Sequence, residues 1–360
     1  MRNFKVLETF RFIAAIFVAI GHLFFWNGNF NVIPRSFILS VEFFFVLSGF
    51  ILSLKLDNQI LKVDEYMNKL FWGRTIRLLV PYMILISIYH IVFVKLLYNQ
   101  KISLYNWIIN LFLLQILGLN GSIIGGVGTV AWALGLEYWI GTIYFPIIYF
   151  LKKNFNKGLF FICIMVYIVS IGILRHYSTN FMDVHIWQYS EVPWGIIRII
   201  ASYSIGVLFS IFYQTFKNIN YKHKKLIFTV IEIMIIYFIM RFYRIKHYDG
   251  ENEYVFPIFA GILILIFSYE NGLISKILKK GKNLGKLSYS IYLIHPFFLE
   301  LIRYLKISNP LAETNVLLYF VFLIIASFLF YYFVEKNIIN LKYYIVKQIE
   351  RKTMKVKNEK

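Results

Sequence analysis

Apolar stretches of about 20 residues recur along the whole chain, separated by short segments that carry most of the charges. A helix of about 20 apolar residues is long enough to cross a bilayer. We therefore predict an all-α, polytopic membrane helix bundle with about ten transmembrane helices. The predicted spans lie near residues 10–26, 36–54, 78–97, 130–151, 158–174, 196–216, 226–243, 254–270, 288–305 and 315–334.

One further apolar segment, residues 107–119, is too short to be an ordinary span. A stretch of about thirteen residues has the length expected of a re-entrant or interfacial piece. Glycines follow it within residues 121–128, and irregular backbone at membrane depth persists only where protein or water covers it. We predict one short re-entrant segment that borders a cavity.

The 38 Lys and Arg residues indicate how the spans are oriented. With ten spans and both termini cytoplasmic, most of these residues lie in cytoplasmic segments, as the positive-inside rule requires. If residues 107–119 formed a full crossing, Lys152, Lys153 and Lys157 would face outward. The charge pattern therefore favours ten crossings and two cytoplasmic termini. We divide the chain into a transmembrane domain, 1–341, and a basic cytoplasmic tail, 342–360, that rests on the anionic inner leaflet.

The composition is that of a membrane protein. Hydrophobic residues make up 59% of the chain and charged residues 16%, whereas soluble domains have about 45–50% and 25%. The formal net charge of +20 is spread between the apolar segments and the tail, where orientation signals lie. We therefore expect membrane lipids, and no nucleic acid, as partners.

The first predicted span contains two ionisable residues, Arg11 and His22, which are eleven residues apart. On an α-helix this spacing puts them on one face, about 16 Å apart along the axis. An ionisable residue in a span indicates a functional site, unless the interface or a neighbouring helix satisfies it. Glu42 in the second span is predicted to lie at the depth of His22, where it would fix the imidazole tautomer for general-base catalysis. A structural Glu–His pair that joins two helices is the alternative.

Further candidate site residues lie within the later predicted spans or just before them. Arg74 and Arg77 are three residues apart before the third span, so we expect them to share a helix face. Paired guanidinium groups suit phosphate, although arginines that only set the topology have the same appearance. Trp132, Glu137 and His295 also lie within spans, where each alone is typical of a helix–helix hydrogen bond. Together these residues predict a polar centre for proton-coupled transport or for chemistry at the membrane, without a metal site.

These motifs resemble those of the acyltransferase 3 family of integral membrane acyltransferases, in the same order along the chain to about residue 340. The matching motifs are Arg11-x10-His22, Phe43 to Phe50, Arg74-x-x-Arg77, Trp132-x-Leu134-x-x-Glu137, Tyr289 to Pro296 and Tyr332 to Lys336. Two positions depart from the family pattern. Glu42 stands where the family more often has Asp, and Tyr138 stands where many members carry a second acid.

The resemblance implies an O-acyltransferase of the bacterial cytoplasmic membrane. It would move an acyl group, usually acetyl from acetyl-CoA, onto a hydroxyl of a cell-surface polysaccharide or lipid-linked sugar, with acetyl-CoA or another acyl-CoA as co-substrate and no bound cofactor. The expected catalytic residues are His22 (base or nucleophile), Glu42 and Glu137, the acyl-CoA-binding residues are Arg11, Arg74 and Arg77, and an additional site comprises Trp132, Tyr289 and His295. Recognition of the acceptor is expected in the outer loop near 175–195, where Trp187 and Trp194 could stack on sugar rings.

A proton-coupled transporter or flippase of a small molecule or glycolipid is the competing class, because a central cluster of His, Glu and Arg also suits proton coupling. Inverted repeats with broken helices are typical of transporters. The short segment 107–119 has no counterpart in the second half of the chain, which weakens that alternative. A catalytically inactive partner protein is a third alternative, against which stand the intact Arg11, His22, Arg74 and Arg77.

Overall fold

The structure, a computed structural model, describes residues 4–28, 37, 39–57, 63–117, 119, 125–177, 194–218, 223–244 and 250–341. All regular secondary structure in these ranges is helical, which confirms the predicted all-α class. The predicted basic tail, residues 121–124 of the glycine-rich stretch and Trp187 of the predicted outer loop lie outside the described ranges. The chain divides into two compact units, of which unit 1 is Met1–Asn58 with Ile148–Tyr292 and unit 2 is Gln59–Ile147 with Leu293–Lys360.

The helices follow the apolar stretches closely. The α-helices are α1 Lys5–Trp26, α2 Ser40–Asp57, α3 Val63–Arg74, α4 Val80–Tyr89, α5 Leu104–Leu111, α6 Val127–Val130, α7 Trp132–Asn154, α8 Leu159–Tyr177, α9 Trp194–Phe216, α10 Lys224–Arg244, α11 Phe256–Tyr269, α12 Leu273–Leu278, α13 Ser288–Tyr304 and α14 Glu313–Phe330. Wider π-helical turns occupy Thr75–Leu79, His90–Leu97 and Tyr331–Glu335, and 3-10 turns occupy Leu114–Leu117, Gly250–Val255, Lys279–Gly281 and Leu284–Leu287.

Many of these helices have the length and composition of membrane spans. Within the described ranges, seven helices are long and apolar enough to cross a membrane, and the bent pair Glu253–Tyr269 and Leu273–Gly281 makes an eighth if it is counted as one span. The helices α2 and α13 coincide with two more predicted spans, but α2 carries charged residues at both ends and α13 has only 17 residues. The protein is therefore a multi-pass membrane protein, and the count of ten crossings stays a prediction.

The bend between α11 and α12 is built around one carboxylate. Glu232, which is fully buried on α10, accepts hydrogen bonds from the backbone N–H groups of Gly272, Ile274 and Ser275, at 3.1–3.2 Å. These donors are among the first N–H groups of α12, which have no partner inside a helix. The carboxylate therefore fixes where α12 begins and holds it at 75° to α11.

In unit 1, α2 and α9 pack side by side along a seam of small residues. Gly49 and Gly206 face each other so closely that a Cβ on Gly206 would lie 2.2 Å from the Val46 carbonyl oxygen. Farther along, Ser210 Oγ donates to Ser53 Oγ at 2.7 Å. Glycine and serine at such positions let helix backbones approach closely, which is the usual basis of helix association in membranes.

The direction of α2 and α9 bears on the number of crossings between them. Contacts at both ends of the seam, Glu42 with Arg198 and Ser53 with Ser210, show that the two helices run parallel. Parallel spans require an odd number of crossings between them. Tyr66–Leu97, Trp132–Asn154 and Leu159–Tyr177 are three candidates, and a further crossing by α5 would make α2 and α9 antiparallel. The parallel pair therefore supports the prediction that residues 107–119 do not cross.

In unit 2, the short segment enters the protein interior beside α4. The Trp107 ring of α5 packs on His90, with 4.6 Å between ring centroids. One turn deeper, Tyr82 donates a hydrogen bond to the Asn110 carbonyl oxygen at 3.0 Å. The segment therefore runs antiparallel to α4, with one side, which includes Ile109, Asn110 and Leu113, buried against the protein.

The segment leaves at the level where it entered. Gly126, just before α6, packs against the ring of Tyr89, the neighbour of His90 in the chain. The φ angle of Gly126 is +59°, and a Cβ there would lie 2.5 Å from the Tyr89 ring. Only glycine fits this combination of backbone angle and close approach. A chain that enters beside His90 and returns beside Tyr89 supports the predicted re-entrant course.

Candidate functional site

Glu42 lies in a fully buried ion pair of unit 1. Its carboxylate accepts hydrogen bonds from Arg198 Nε and from the Ser202 hydroxyl, both on α9. All three side chains are fully buried. A buried carboxylate is tolerated when a cation and hydrogen-bond donors surround it. The structure therefore gives Glu42 a partner across the α2–α9 seam, and Arg198 was not among the predicted site residues.

Ring contacts fix the register of α1 against α2, and that register corrects the predicted place of Glu42. The contacting ring pairs are Phe4 with Phe50, Phe10 with Phe43 and Phe17 with Phe37, at 5.8, 6.4 and 5.0 Å between centroids. This register places Glu42 nearer to Arg11 than to His22 along α1, and its carboxylate is held by Arg198 and Ser202. The prediction that Glu42 orients His22 is therefore wrong. It assumed that α2 begins level with the end of α1, whereas Phe37, three residues before α2, already packs against Phe17 and Gly21.

His22 obtains a defined tautomer from its own helix. Its Nδ1 lies 3.0 Å from the Val18 carbonyl oxygen, one turn earlier. A carbonyl oxygen only accepts, so Nδ1 carries the proton in this contact and the lone pair of a neutral imidazole is on Nε2. The Trp26 ring packs edge-on against the imidazole, with 5.9 Å between centroids. The half-buried His22 is thus held in the form that a general base needs, by the backbone rather than by Glu42.

Arg11 lies near the opposite end of α1. It pairs with Glu8, one turn earlier on the same helix, at 3.1 Å. Both side chains of the pair are partly exposed. The pair keeps the guanidinium beside the first turns of α1, three helical turns from His22.

Arg74 and Arg77 differ in environment. Arg74 is only 6% exposed, whereas Arg77 is exposed. The predicted common face assumed α-helical spacing, but the backbone from Thr75 to Leu79 is π-helical and contains more residues in each turn. Pro81 follows this segment and has no N–H for the carbonyl one turn earlier, which disturbs regular α-helical bonding. The expectation of one shared face is therefore wrong, and Arg74 alone points into the protein.

The structure brings Arg74 and Glu137 together. The Arg74 guanidinium donates to the backbone carbonyl oxygen of Glu137 and lies 6.0 Å from the centre of the Phe145 ring. In the described part of the chain, the buried Nε of Arg74 has no hydrogen-bond partner. This arrangement places one unsatisfied guanidinium donor in the interior of unit 2, close to the motif that contains Glu137.

The position after Glu137 is occupied by a structural tyrosine. Tyr138 is buried, and its hydroxyl is 2.8 Å from the Thr75 hydroxyl on the first π-helical turn. The bond joins α7 to the segment that carries Arg74. Tyr138 therefore positions this turn.

The remaining predicted residues occupy separate helices. Trp132 is half-buried at the beginning of α7, and Tyr289 is half-buried in the first turn of α13. His295 is fully buried in α13, immediately before Pro296. No three His, Cys, Asp or Glu side chains among the described residues are placed to hold a metal ion.

A comparison with protein-family models decides the class of the protein. Residues 4–335 match the model of the acyltransferase 3 family, described as an acyltransferase domain. The chain belongs to the acyltransferase 3 family. Searches among curated proteins and among solved structures found no match.

The protein is therefore a multi-pass membrane O-acyltransferase. Within this acyltransferase 3 chain, the functional candidates divide between the units. Arg11, His22 and Glu42 belong to unit 1, whereas Arg74 and Glu137 belong to unit 2. Arg198 could have been found from the sequence, because it lies inside a predicted span, and ionisable residues in spans are candidates for function or for a specific pairing.

Proposed function

We propose that this membrane O-acyltransferase moves an acetyl group from acetyl-CoA onto a hydroxyl of a cell-surface polysaccharide or lipid-linked sugar, in the bacterial cytoplasmic membrane. The observation that carries the proposal is the hydrogen bond from His22 Nδ1 to the Val18 carbonyl, which leaves Nε2 as the basic atom. A sugar hydroxyl is a weak nucleophile at neutral pH, so a positioned base is the group that such a reaction needs most.

The reaction requires two proton transfers and the exchange of a carbon–sulfur bond for a carbon–oxygen bond. His22 Nε2 takes the proton from the sugar hydroxyl as its oxygen attacks the thioester carbonyl carbon. The bond from that carbon to sulfur then breaks, and the departing thiolate of CoA takes up the proton from the imidazolium. A general base in this role contributes typically 10²–10⁴-fold to the rate.

Unit 2 contains two arginines that could bind the phosphates of the donor. Arg74 has an unsatisfied buried Nε among the described residues, and Arg77 is exposed on the next turn. Guanidinium groups bind phosphate through paired N–H donors. We assign the phosphate end of acetyl-CoA to these two arginines, and we keep Arg11 as a further donor-binding residue. Glu42 has no part in the proposed proton transfer, because its carboxylate is held by Arg198 and Ser202.

The test compares His22→Ala with wild type in cells that make equal amounts of inserted protein. Mass spectrometry of the surface glycans should find an alkali-labile acetyl group with wild type and at least a 10²-fold loss with the variant. The matched control is His223→Ala, which removes an exposed histidine between α9 and α10 and should leave acetylation unchanged. Full acetylation by a normally inserted His22→Ala protein would refute the assignment of the base.

The donor is tested with purified protein and labelled acetyl-CoA or succinyl-CoA. Transfer of acetyl label into membrane glycans supports acetyl as the natural group. Transfer from succinyl-CoA alone would overturn that choice while leaving acyl transfer intact. Movement of a glycolipid across the membrane without any acyl label would instead favour the transporter or flippase.

A further inference from the structure

The long helix Tyr66–Leu97 has an irregular feature at two places. Its backbone is π-helical at Thr75–Leu79 and again at His90–Leu97. Arg74 immediately precedes the first segment and His90 opens the second. Within the described part of the chain, neither Arg74 Nε nor His90 Nδ1 has a hydrogen-bond partner, and both atoms are buried. The two irregularities therefore coincide with two unsatisfied nitrogen atoms on one helix.

Such atoms are costly where they have no function. Buried polar atoms in native proteins are almost always hydrogen-bonded, so each exception calls for a ligand or another explanation. Short π-helical segments inside longer helices are frequently found at functional sites. His90 combines both properties inside a membrane span, where an ionisable side chain is by default a functional candidate.

The surroundings of His90 hold the imidazole in place. The Trp107 ring of the short segment lies against it at 4.6 Å between centroids. The neighbouring Tyr89 ring is held by Gly126, where that segment returns. His90 thus lies where the chain enters and leaves the interior of unit 2, with Trp107 against its ring and its Nδ1 without a hydrogen-bond partner among the described residues.

Arg74 and His90 are separated by sixteen residues, or about 24 Å along the helix axis. An acyl-CoA has its phosphates at one end and its thioester at the other, joined by a flexible pantetheine arm that contains two amide groups. A helix with a guanidinium at one level and an imidazole at another matches that arrangement of charge and polarity. Both residues belong to unit 2, so one unit provides contacts for both parts of the molecule.

We infer that His90 binds the pantetheine–thioester part of the acyl-CoA donor through a hydrogen bond at Nδ1, while Arg74 binds the phosphate part. The inference rests on the proposed function, because it takes an acyl-CoA as the donor. It gives His90 of unit 2 a role in donor binding, which is distinct from the proton transfer proposed for His22.

The experiment measures equilibrium binding to the purified full chain in detergent, with two probes. Acetyl-CoA contains both parts of the donor, whereas adenosine 3′,5′-bisphosphate contains the phosphates without the pantetheine arm. The substitutions His90→Phe and His90→Gln should weaken acetyl-CoA binding about fivefold, the value of one hydrogen bond, and leave the bisphosphate affinity unchanged. Arg74→Gln should weaken binding of both probes.

Two further variants make the result specific. His90→Asn puts an amide atom close to the position of Nδ1 and should restore most of the acetyl-CoA affinity, whereas the longer Gln side chain reaches the position of Nε2 instead. His223→Gln, at an exposed histidine, should change neither affinity. Bisphosphate binding by each His90 and His223 variant reports that the protein is folded.

Three outcomes would overturn the inference. If His90→Phe binds acetyl-CoA as well as wild type does, His90 has no contact with the donor, although acetyl-CoA remains the donor. If both probes are weakened equally, the substitution disturbs unit 2 as a whole. If the wild-type protein binds neither probe, the proposed donor is wrong and this role of His90 is wrong with it.

Discussion

Substitutions in the buried pair of Glu42 and Arg198 can show whether the pair stabilises the fold or takes part in acyl transfer. Replacing Arg198 with Met leaves the Glu42 carboxylate inside unit 1 with only the Ser202 hydroxyl of the two α9 donors. Removing one partner of a fully buried ion pair costs about 3–5 kcal/mol, because the other charge is left without compensation. We expect Arg198→Met to lower the free energy of unfolding by that amount, measured by SDS-induced unfolding of the full chain in mixed micelles.

The double variant Glu42→Met/Arg198→Met removes both charges and so leaves no unpaired ion in the interior. Replacing both members of a buried ion pair by apolar residues is often neutral, so the double variant should be more stable than Arg198→Met alone. The control is Arg303→Met, because the Arg303 side chain is 63% exposed in its pair with Glu300. Exposed pairs contribute about 0.2–1 kcal/mol, so this loss should be small.

The same variants show whether Glu42 takes part in catalysis. Because the Glu42 carboxylate is held by Arg198 and Ser202 rather than by His22, the folded double variant should transfer acyl groups at close to the wild-type rate. A stable, correctly inserted double variant without transfer activity would refute this reasoning, since it would show that the carboxylate acts in the reaction. The single variant Glu42→Met completes the comparison. If the losses of stability in Glu42→Met and Arg198→Met add up to the loss in the double variant, the pairing itself is refuted.

Two further predictions concern unit 2. Burial, then the hydrogen bond to Glu300 and its negative charge, raise the pKa of Tyr98 from 10.0 to about 12, so stability falls as the pH rises from 10 towards 12. Unfolding measured across that range should have a shallower slope in Tyr98→Phe, by at most about 1.4 kcal/mol per pH unit, which is the share of one proton, and an unchanged slope would contradict the assignment. Gly126→Ala should lower the free energy of unfolding by more than about 1 kcal/mol, because alanine is strained at φ +59° and its Cβ would meet the Tyr89 ring. A variant as stable as wild type would show that the loop can move away.

The positions of the helices were accessible from the sequence, because apolar length alone specifies a membrane helix. Each predicted span overlaps a helix of the structure, and the short segment 107–119 contains only the end of α5 and a 3-10 turn. The family was likewise accessible, because its motifs combine residue type with fixed spacing. The family model covers residues 4–335 and confirms that resemblance.

The contacts of the site residues were harder to predict from the sequence, because they depend on the axial offset between neighbouring helices. Depth counted from helix ends placed Glu42 with His22, whereas packed phenylalanine rings place it nearer to Arg11 than to His22. Such a shift leaves the apolar pattern of both helices intact. No count of apolar residues can therefore determine it.

The difference between Arg74 and Arg77 has a similar cause. Spacing arguments assume one helical period, and the π-helical turn beside Pro81 changes that period locally. Pro81 is visible in the sequence, but whether a helix kinks, breaks or widens near proline depends on the neighbouring helices. Here Tyr138 holds the widened turn through Thr75.

The 156 positions between Glu42 and Arg198 are also an interval of time during synthesis. Ribosomes add about 5–20 residues per second, so Arg198 is made roughly 8–30 s after Glu42. Throughout that interval the nascent α2 carries a carboxylate whose partner arginine has not yet been synthesised. The α2–α9 seam of unit 1 can pack only after α9 emerges. A ribosome that stalls between the two helices therefore leaves α2 with an acid that has no Arg198 to pair with.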